Sequence, residues 1–235
     1  MLIRENIEQH LAELKAWLAT VQDEPPERMD AFFTARIDGY EEHMQIWAEA
    51  YRRFAQLLPP EPGKVLDLGV GTGLELDEIW AINPAISVTG VDMSQAMLDL
   101  LAKKHGDKDL RLICDDYFHY NMGENQWDTV ISFESFHHFL HQEKLTLYRK
   151  ICRGLRPGGC LLLGDYIACC EEEETLLRDI YLEKRKRYAV PDGQFIHFDI
   201  PMTLEHETAI LREAGFQTVE PLDSIAGATI LSAVK

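Results

Sequence analysis

VLDLGVGTGLELD, residues 65–77, reads as a short apolar run that ends in aspartate and empties into a loop with glycine at alternate positions. A strand that runs into such a loop is built to hold a nucleotide-like ligand, because glycine lets the backbone come close to it. The dinucleotide fingerprint needs glycine at the first, third and sixth loop positions. Here Gly69, Gly71 and Gly73 take the first, third and fifth, and Leu74 stands at the sixth. Asp67, two residues ahead of Gly69, would repel a pyrophosphate at low dielectric, but it suits an ammonium group reached directly or through water.

Two further strand ends extend the pattern. ISVTGVD ends at Asp92, nineteen residues after Gly73, where both carboxylate oxygens can accept from ribose hydroxyls. LRLICDDY ends at Asp115 and Asp116, and a carboxylate there can accept from an adenine amine. Ligands of open α/β sheets bind at the carboxyl ends of parallel strands. Asp67, Asp92 and Asp116 are therefore expected to converge on one ligand, at its amine, ribose and adenine. A lone aspartate at a strand end is more often a cap or turn former; it is the joint spacing that argues for function.

From Lys64 onward short apolar strands alternate with amphipathic helices: KVLDL, a helix over 73–81, ISVTGVD, SQAMLDLLAKKH, LRLICDD, WDTVISF, QEKLTLYRKICRGL and GGCLLLGDYI. That alternation predicts a doubly wound α/β sheet. Near the end, FQTVEPL and ATILSAVK are too close for a crossover and must pair antiparallel. Ahead of the core, Leu2, Ile3, Ile7, Leu11, Leu14 and Leu18 mark an amphipathic helix. A second helical stretch follows, interrupted near Gly39 and stopped at LPPEPG. The expected organisation is a helical cap over 1–59 and a core over 60–235, with an inserted lid at about 168–200.

Taken in order, these segments resemble the class I S-adenosylmethionine-dependent methyltransferases. VLDLGVGTG is similar to that family's first motif, GVDMSQAML to its second, LICDDY to its adenine-side motif, WDTVISFESFHHF to its fourth strand and loop, and LRPGGCLLLGD to its turn into the fifth strand. The resemblance covers residues 60–235 and implies a mostly parallel seven-stranded sheet with an antiparallel last strand. It implies S-adenosylmethionine as cofactor and S-adenosylhomocysteine as product. Asp67 and the Gly69, Gly71 and Gly73 loop would hold the methionine part, Asp92 the ribose, Met93 the adenine face, and Asp116 with Tyr117 the adenine edge. Phe133 would line the methyl-bearing side. The family usually has glycine where Asp115 stands, so Asp115 can take the adenine role by a one-residue shift.

Methyl transfer from a sulfonium needs positioning above all, and a base only when the acceptor holds its proton tightly. ESFHHF places Glu134, His137 and His138 beside the expected methyl group, and Tyr166 closes the fifth strand with Asp165. His137, His138 and Tyr166 are the catalytic candidates, against a plainer reading as loop packing. In FFTARIDGYEEHM, Arg36 is a candidate for the ligand carboxylate and Tyr40 for a nearby hydrogen bond, against simple packing of Phe32, Phe33 and Ile37. In EEEETLLRDIYLEKRKRY, acids early and bases late complement a helix dipole, which favours a solvated helix over a grip on an anionic acceptor. DGQFIHFDIP is expected to bring His197 and Asp199 to the pocket mouth.

Composition narrows the partners. Lys and Arg total 23 against 40 Asp and Glu, a net charge of −17, which argues against nucleic acid and RNA methylation. The five cysteines form no CxxC pair, so neither a disulfide framework nor a metal site is expected. No signal-like or membrane-spanning stretch stands out, and a cytoplasmic protein with a small-molecule acceptor is expected, with a homodimer open. The rival readings are a non-catalytic cofactor-binding or partner subunit of the same fold and an NAD-dependent oxidoreductase.

Overall fold

The computed structural model describes residues 3–21 and 23–235, so Leu2 lies outside the described residues. Four helices precede the sheet: α1 (Ile7–Val21), α2 (Met29–Ala35), α3 (Ile37–His43) and α4 (Ala48–Leu57). The core then runs β1 (Val65–Leu68), α5 (Leu74–Ile82), β2 (Val88–Asp92), α6 (Gln95–His105), β3 (Leu110–Cys114), β4 (Trp127–Phe133), α7 (His141–Gly154) and β5 (Leu155–Tyr166). It closes with α8 (Glu171–Arg187), α9 (Leu204–Glu213), β6 (Thr218–Ile225) and β7 (Ala228–Val234).

The seven strands lie in the order β3-β2-β1-β4-β5-β7-β6, with β7 antiparallel to both β5 and β6. This is the expected α/β sheet with its closing antiparallel pair. The chain winds outward from β1 in one direction through β2 and in the other through β4, and the crevice at that reversal is where such sheets bind ligands. Period-two alternation explains why these strands look uniformly apolar. Leu66, Val130, Leu161 and Leu163 pack on one face of the sheet, while Val65, Ile131 and Leu162 pack on the other. Both faces are covered by helices there, so β1 is buried throughout and β2 and β4 at all but one position each.

Two departures from the expected elements bear on the site. The second helical stretch breaks at Arg36 and again in a 3-10 turn over Met44–Trp47, whereas Gly39 sits inside α3. Arg36 leaves helical geometry (φ −109°, ψ 10°) while its guanidinium bonds Glu27 and the Phe32 carbonyl. The other departure is α8, which has the expected solvated outer face and dipole-matched charges but whose inner face is a strut between cap and core. Buried Glu173 accepts from His10, Tyr166 and the Cys169 backbone. Buried Glu174 accepts from the Thr203 N–H at 2.6 Å and pairs with His206. At the far end, Lys184 donates to the Val21 and Glu24 carbonyls, and Arg185 to Pro191 and Gln194. These bonds join α1 and the 188–203 segment to the sheet as one layer above its carboxyl edge.

Candidate functional site

Two cavities meet at the carboxyl edge of β1, β2 and β4. The smaller is lined by the glycine loop, the ends of β2 and β4, and an aromatic lid. The larger, about 760 Å³, opens between the α2–α3 region, the 134–138 loop and the segment carrying His197 and Asp199. Four residues belong to both linings: Phe33, Tyr40, Glu134 and His138. They form a common wall, and a group passing from one cavity to the other must pass among them.

The glycine loop builds the smaller cavity. Gly69 has φ +78° and Gly73 +71°, conformations that other residues adopt only under strain, and a Cβ at Gly69 would run into Ser135. Asp92 is held by two backbone donors, the Gly71 and Ser94 N–H groups, each 2.8 Å from a separate carboxylate oxygen. Each oxygen keeps a further acceptor position, which suits a pair of vicinal hydroxyls. Met93, Asp116 and Tyr117 line the same cavity, and Phe118 and Phe195 stack across it at 5.2 Å. Its lining includes Asp92, Asp116 and Glu134 but neither Lys nor Arg among the described residues, the opposite of a pyrophosphate site.

Asp67, just ahead of this loop, and Glu75, in the first turn of α5 behind it, are buried beneath the cavity and stand outside both linings. Neither Asp67 oxygen, nor Glu75 Oε1, receives a hydrogen bond from the described residues. Burial, then the facing Glu75, raises Asp67 well above the usual carboxylate range, and burial lifts Glu75 to about 7. Two close carboxyls without a counter-charge share a proton unless a cation arrives. These orphaned oxygens fit a ligand carrying a positive charge. Tyr40 adds to the same field: burial, then Glu75, Asp92 and Glu134, raises its phenol, so it remains a hydroxyl donor.

Histidines dominate the larger cavity. His137 Nδ1 meets the fully buried Asp165 at 2.6 Å, and its Nε2 lies 3.5 Å from Asp199 Oδ1. Burial opposes charge on His137, but Asp165 and Asp199 outweigh it and raise the imidazole well above its ordinary value. On His138 burial and the neighbouring His137 outweigh the support of Asp199 and the Phe198 carbonyl and hold the imidazole well below its ordinary value, so it stays neutral. His197 stacks on Phe32 at 3.4 Å and is lowered by burial to about 4. Glu134 faces both cavities in left-handed backbone geometry (φ 50°), with burial lifting its carboxyl to about 8.

Of the residues singled out in the sequence, Tyr40, Gly69, Gly71, Asp92, Met93, Asp116, Tyr117 and Phe133 line the smaller cavity. Asp116 also accepts from the Phe118 and His119 N–H groups, so it shapes the turn as well as the cavity. Asp115 accepts from the Asp116 N–H and stands outside the lining. Gly73 caps α5. Arg36 lines the larger cavity instead, tied to Glu27 at 2.7 Å. His137, His138, Tyr166, His197 and Asp199 gather on the larger cavity as well; the Tyr166 hydroxyl donates to Glu173. Phe33 as a wall residue and the aromatic lid of Phe118 and Phe195 carry no signal in the sequence. Glu134, expected beside the methyl group, faces both cavities, and its left-handed geometry has no signature in the residue itself.

Residues 65–159 match a family described as a methyltransferase domain. Phosphoethanolamine N-methyltransferase 3 of Arabidopsis thaliana is 31% identical over 180 residues, 73% of this chain and 32% of that protein. Malonyl-[acyl-carrier protein] O-methyltransferase of Priestia megaterium is 33% identical over 104 residues, 43% of this chain and 36% of that protein. The chain thus matches about a third of the length of each of these relatives. Among solved structures, the methyltransferase in complex with the Trm112 activator of Haloferax volcanii superposes with a TM-score of 0.66 at 17% identity, covering 88% of this chain and 98% of that one.

Proposed function

We infer that the chain belongs to the class I S-adenosylmethionine-dependent methyltransferase family, since residues 65–159 match a methyltransferase domain, and we propose that it moves a methyl group from S-adenosylmethionine to a small-molecule acceptor in the larger cavity. The observation that carries this reading is the wall of Phe33, Tyr40, Glu134 and His138 common to both cavities. A donor on one side and an acceptor on the other would approach each other there and nowhere else.

Bound in the smaller cavity, the cofactor supplies a methyl group on a sulfonium that leaves as a neutral thioether. The chain's own residues do the rest by placement. Asp92 would hold the ribose hydroxyls, Met93 and Tyr117 the adenine with Asp116 at its edge, and the buried acids Asp67 and Glu75 would supply negative charge beneath the ammonium group. Tyr40 and Glu134 supply a donor oxygen and a negative field beside the sulfonium, and Phe33 and Phe133 keep water from it. On the acceptor side neutral His138 presents a lone pair to the cavity, while His137 and Tyr166 are fixed by Asp165 and Glu173 and shape the cavity. A cavity of about 760 Å³ has the size of ordinary small-molecule sites. The two named relatives act on unlike acceptors, so the acceptor is a property of this chain's own cap and lid.

Calorimetric titration with S-adenosylhomocysteine tests the cofactor half. Micromolar binding to the wild type is expected, with a loss of about 2 kcal/mol, or roughly thirtyfold, in Asp92→Ala. A thermal melt of the variant separates lost binding from lost folding. Absence of binding to the wild-type protein would overturn the reading.

A further inference from the structure

We propose that the larger cavity holds a divalent transition-metal ion on His137, His138 and Asp199, and that the acceptor is gripped through that ion; the second half rests on the methyltransferase reading. The three side chains come from two segments sixty residues apart and present donor atoms within 4.8 Å of one another. Asp199 Oδ1 is 3.5 Å from His137 Nε2 and 3.3 Å from His138 Nδ1. Those separations are long for hydrogen bonds but within ion-pair reach, so the ion takes the place of the His137 Nε2 proton that faces Asp199. They match the edge, about 3.4 Å, of a tetrahedron whose arms are metal–ligand bonds of about 2.1 Å.

The surroundings are those of a ligand set. Asp165, fully buried, takes the His137 Nδ1–H at 2.6 Å and so fixes the ring with Nε2 turned toward Asp199. A carboxylate behind a histidine is the usual means of orienting a metal-ligating imidazole. Lys144, 3.9 Å from the other Asp165 oxygen and 2.7 Å from Glu207, keeps that carboxylate from needing the ion itself. Coordination through His138 Nδ1 requires its proton to sit on Nε2, and the ring must give up the 3.2 Å contact to the Phe198 carbonyl. The Asp199 side chain is 44% exposed within the cavity, which leaves a path for the ion.

Two imidazoles and one carboxylate select the manganese-to-zinc series over magnesium or calcium, which prefer oxygen alone. Three protein ligands leave open positions on the ion. Those positions face the larger cavity, with His138 also on the wall common to both cavities. The acceptor class that fits has two adjacent oxygen or nitrogen donors, such as a hydroxyl beside a carboxylate or carbonyl, chelated with one donor aimed at the wall.

The test uses chelator-stripped full-length protein titrated with Zn²⁺ alone and with Co²⁺ alone, with S-adenosylhomocysteine binding measured on the same samples. One equivalent of Zn²⁺ is expected at micromolar or tighter affinity, weakened about 100-fold or more in His137→Ala and Asp199→Asn. Asp165→Asn should weaken it by the 10–100-fold typical of an outer partner. Co²⁺ should give visible d–d absorption without a thiolate charge-transfer band, which would instead mark the His10, Cys169 and Glu173 group. S-adenosylhomocysteine binding persisting in the variants shows that they are folded. Zn²⁺ binding that is absent from the wild type, or unchanged in both ligand variants, overturns the metal site. Failure of S-adenosylhomocysteine to bind while Zn²⁺ does would instead overturn the methyltransferase reading, and the acceptor half with it.

Discussion

Two strands of the same sheet end in a fully buried aspartate, Asp67 on β1 and Asp165 on β5, and the chain treats them in opposite ways. Around Asp165 the charges balance. His137 donates to one oxygen, Lys144 stands near the other and pairs with Glu207, and Glu207 also accepts from the Tyr148 hydroxyl. Around Asp67 stand other acids, Glu75 first and then Asp92, and among the described residues Lys104 acts on Glu75 only from beyond ion-pair distance, being paired with Glu41 and Asp77. Leaving a buried charge without a partner costs several kcal/mol. A fold tolerates that where the partner comes from outside. The β5 end is electrostatic scaffolding for His137, and on the proposed function the β1 end is where a cationic group of the ligand would be met.

Breaking the balanced cluster should have the largest effect. Lys144→Met leaves Glu207 and Asp165 buried without their cation, at a cost of about 3–5 kcal/mol. For a chain of this length that lowers the melting temperature by about 10 °C. Adding Glu207→Gln removes the stranded charge, so the double variant should recover much of the loss. A double variant no more stable than Lys144→Met would mean that Lys144 acts through packing alone.

The same contrast explains what could be read in the sequence. The β1 end was legible because its chemistry is local: Asp67, the glycines and Asp92 sit at fixed spacings beside strands of unmistakable pattern. Element order and the antiparallel closing pair followed from the same periodicities. The larger cavity was legible only in pieces, since His137 and Asp199 meet through tertiary packing that no spacing announces. Arg36 was misplaced because its pairing with Glu27 depends on a helix break unmarked by Gly or Pro. The inner face of α8 was hidden for a related reason, since burial of Glu173 and Glu174 depends on what α1 and Thr203 bring to them.

A smaller effect should appear at the unbalanced end. Glu75 titrates near 7 in the folded protein and near 4.5 unfolded. Between those values the folded state holds more protons, so this group's contribution is full below pH 4.5 and is lost as pH rises through 7. The ligand-free protein should lose up to about 3 kcal/mol from this source between pH 5 and pH 8. Urea denaturation at the two pH values measures it, and Glu75→Gln should flatten the slope by that difference. Equal slopes in wild type and variant would show that the β1 acids have a counter-charge after all.

The smallest effect sharpens the contrast between buried and exposed partners within one helix pair. Lys15 and His10 on α1 reach adjacent glutamates of α8, Lys15 pairing with Glu172 at 2.5 Å and His10 with Glu173 at 2.6 Å. The first pair is about half exposed on both sides, and water screens it, so Lys15→Ala should change stability by less than about 0.5 kcal/mol. Glu173 is fully buried, but it also accepts from Tyr166 and the Cys169 N–H. His10→Ala should therefore cost about 1 kcal/mol, short of the several expected when a buried charge loses every partner. Equal costs for the two substitutions, measured by denaturant titration, would mean that proximity alone, without burial, sets what an ion pair contributes between α1 and α8.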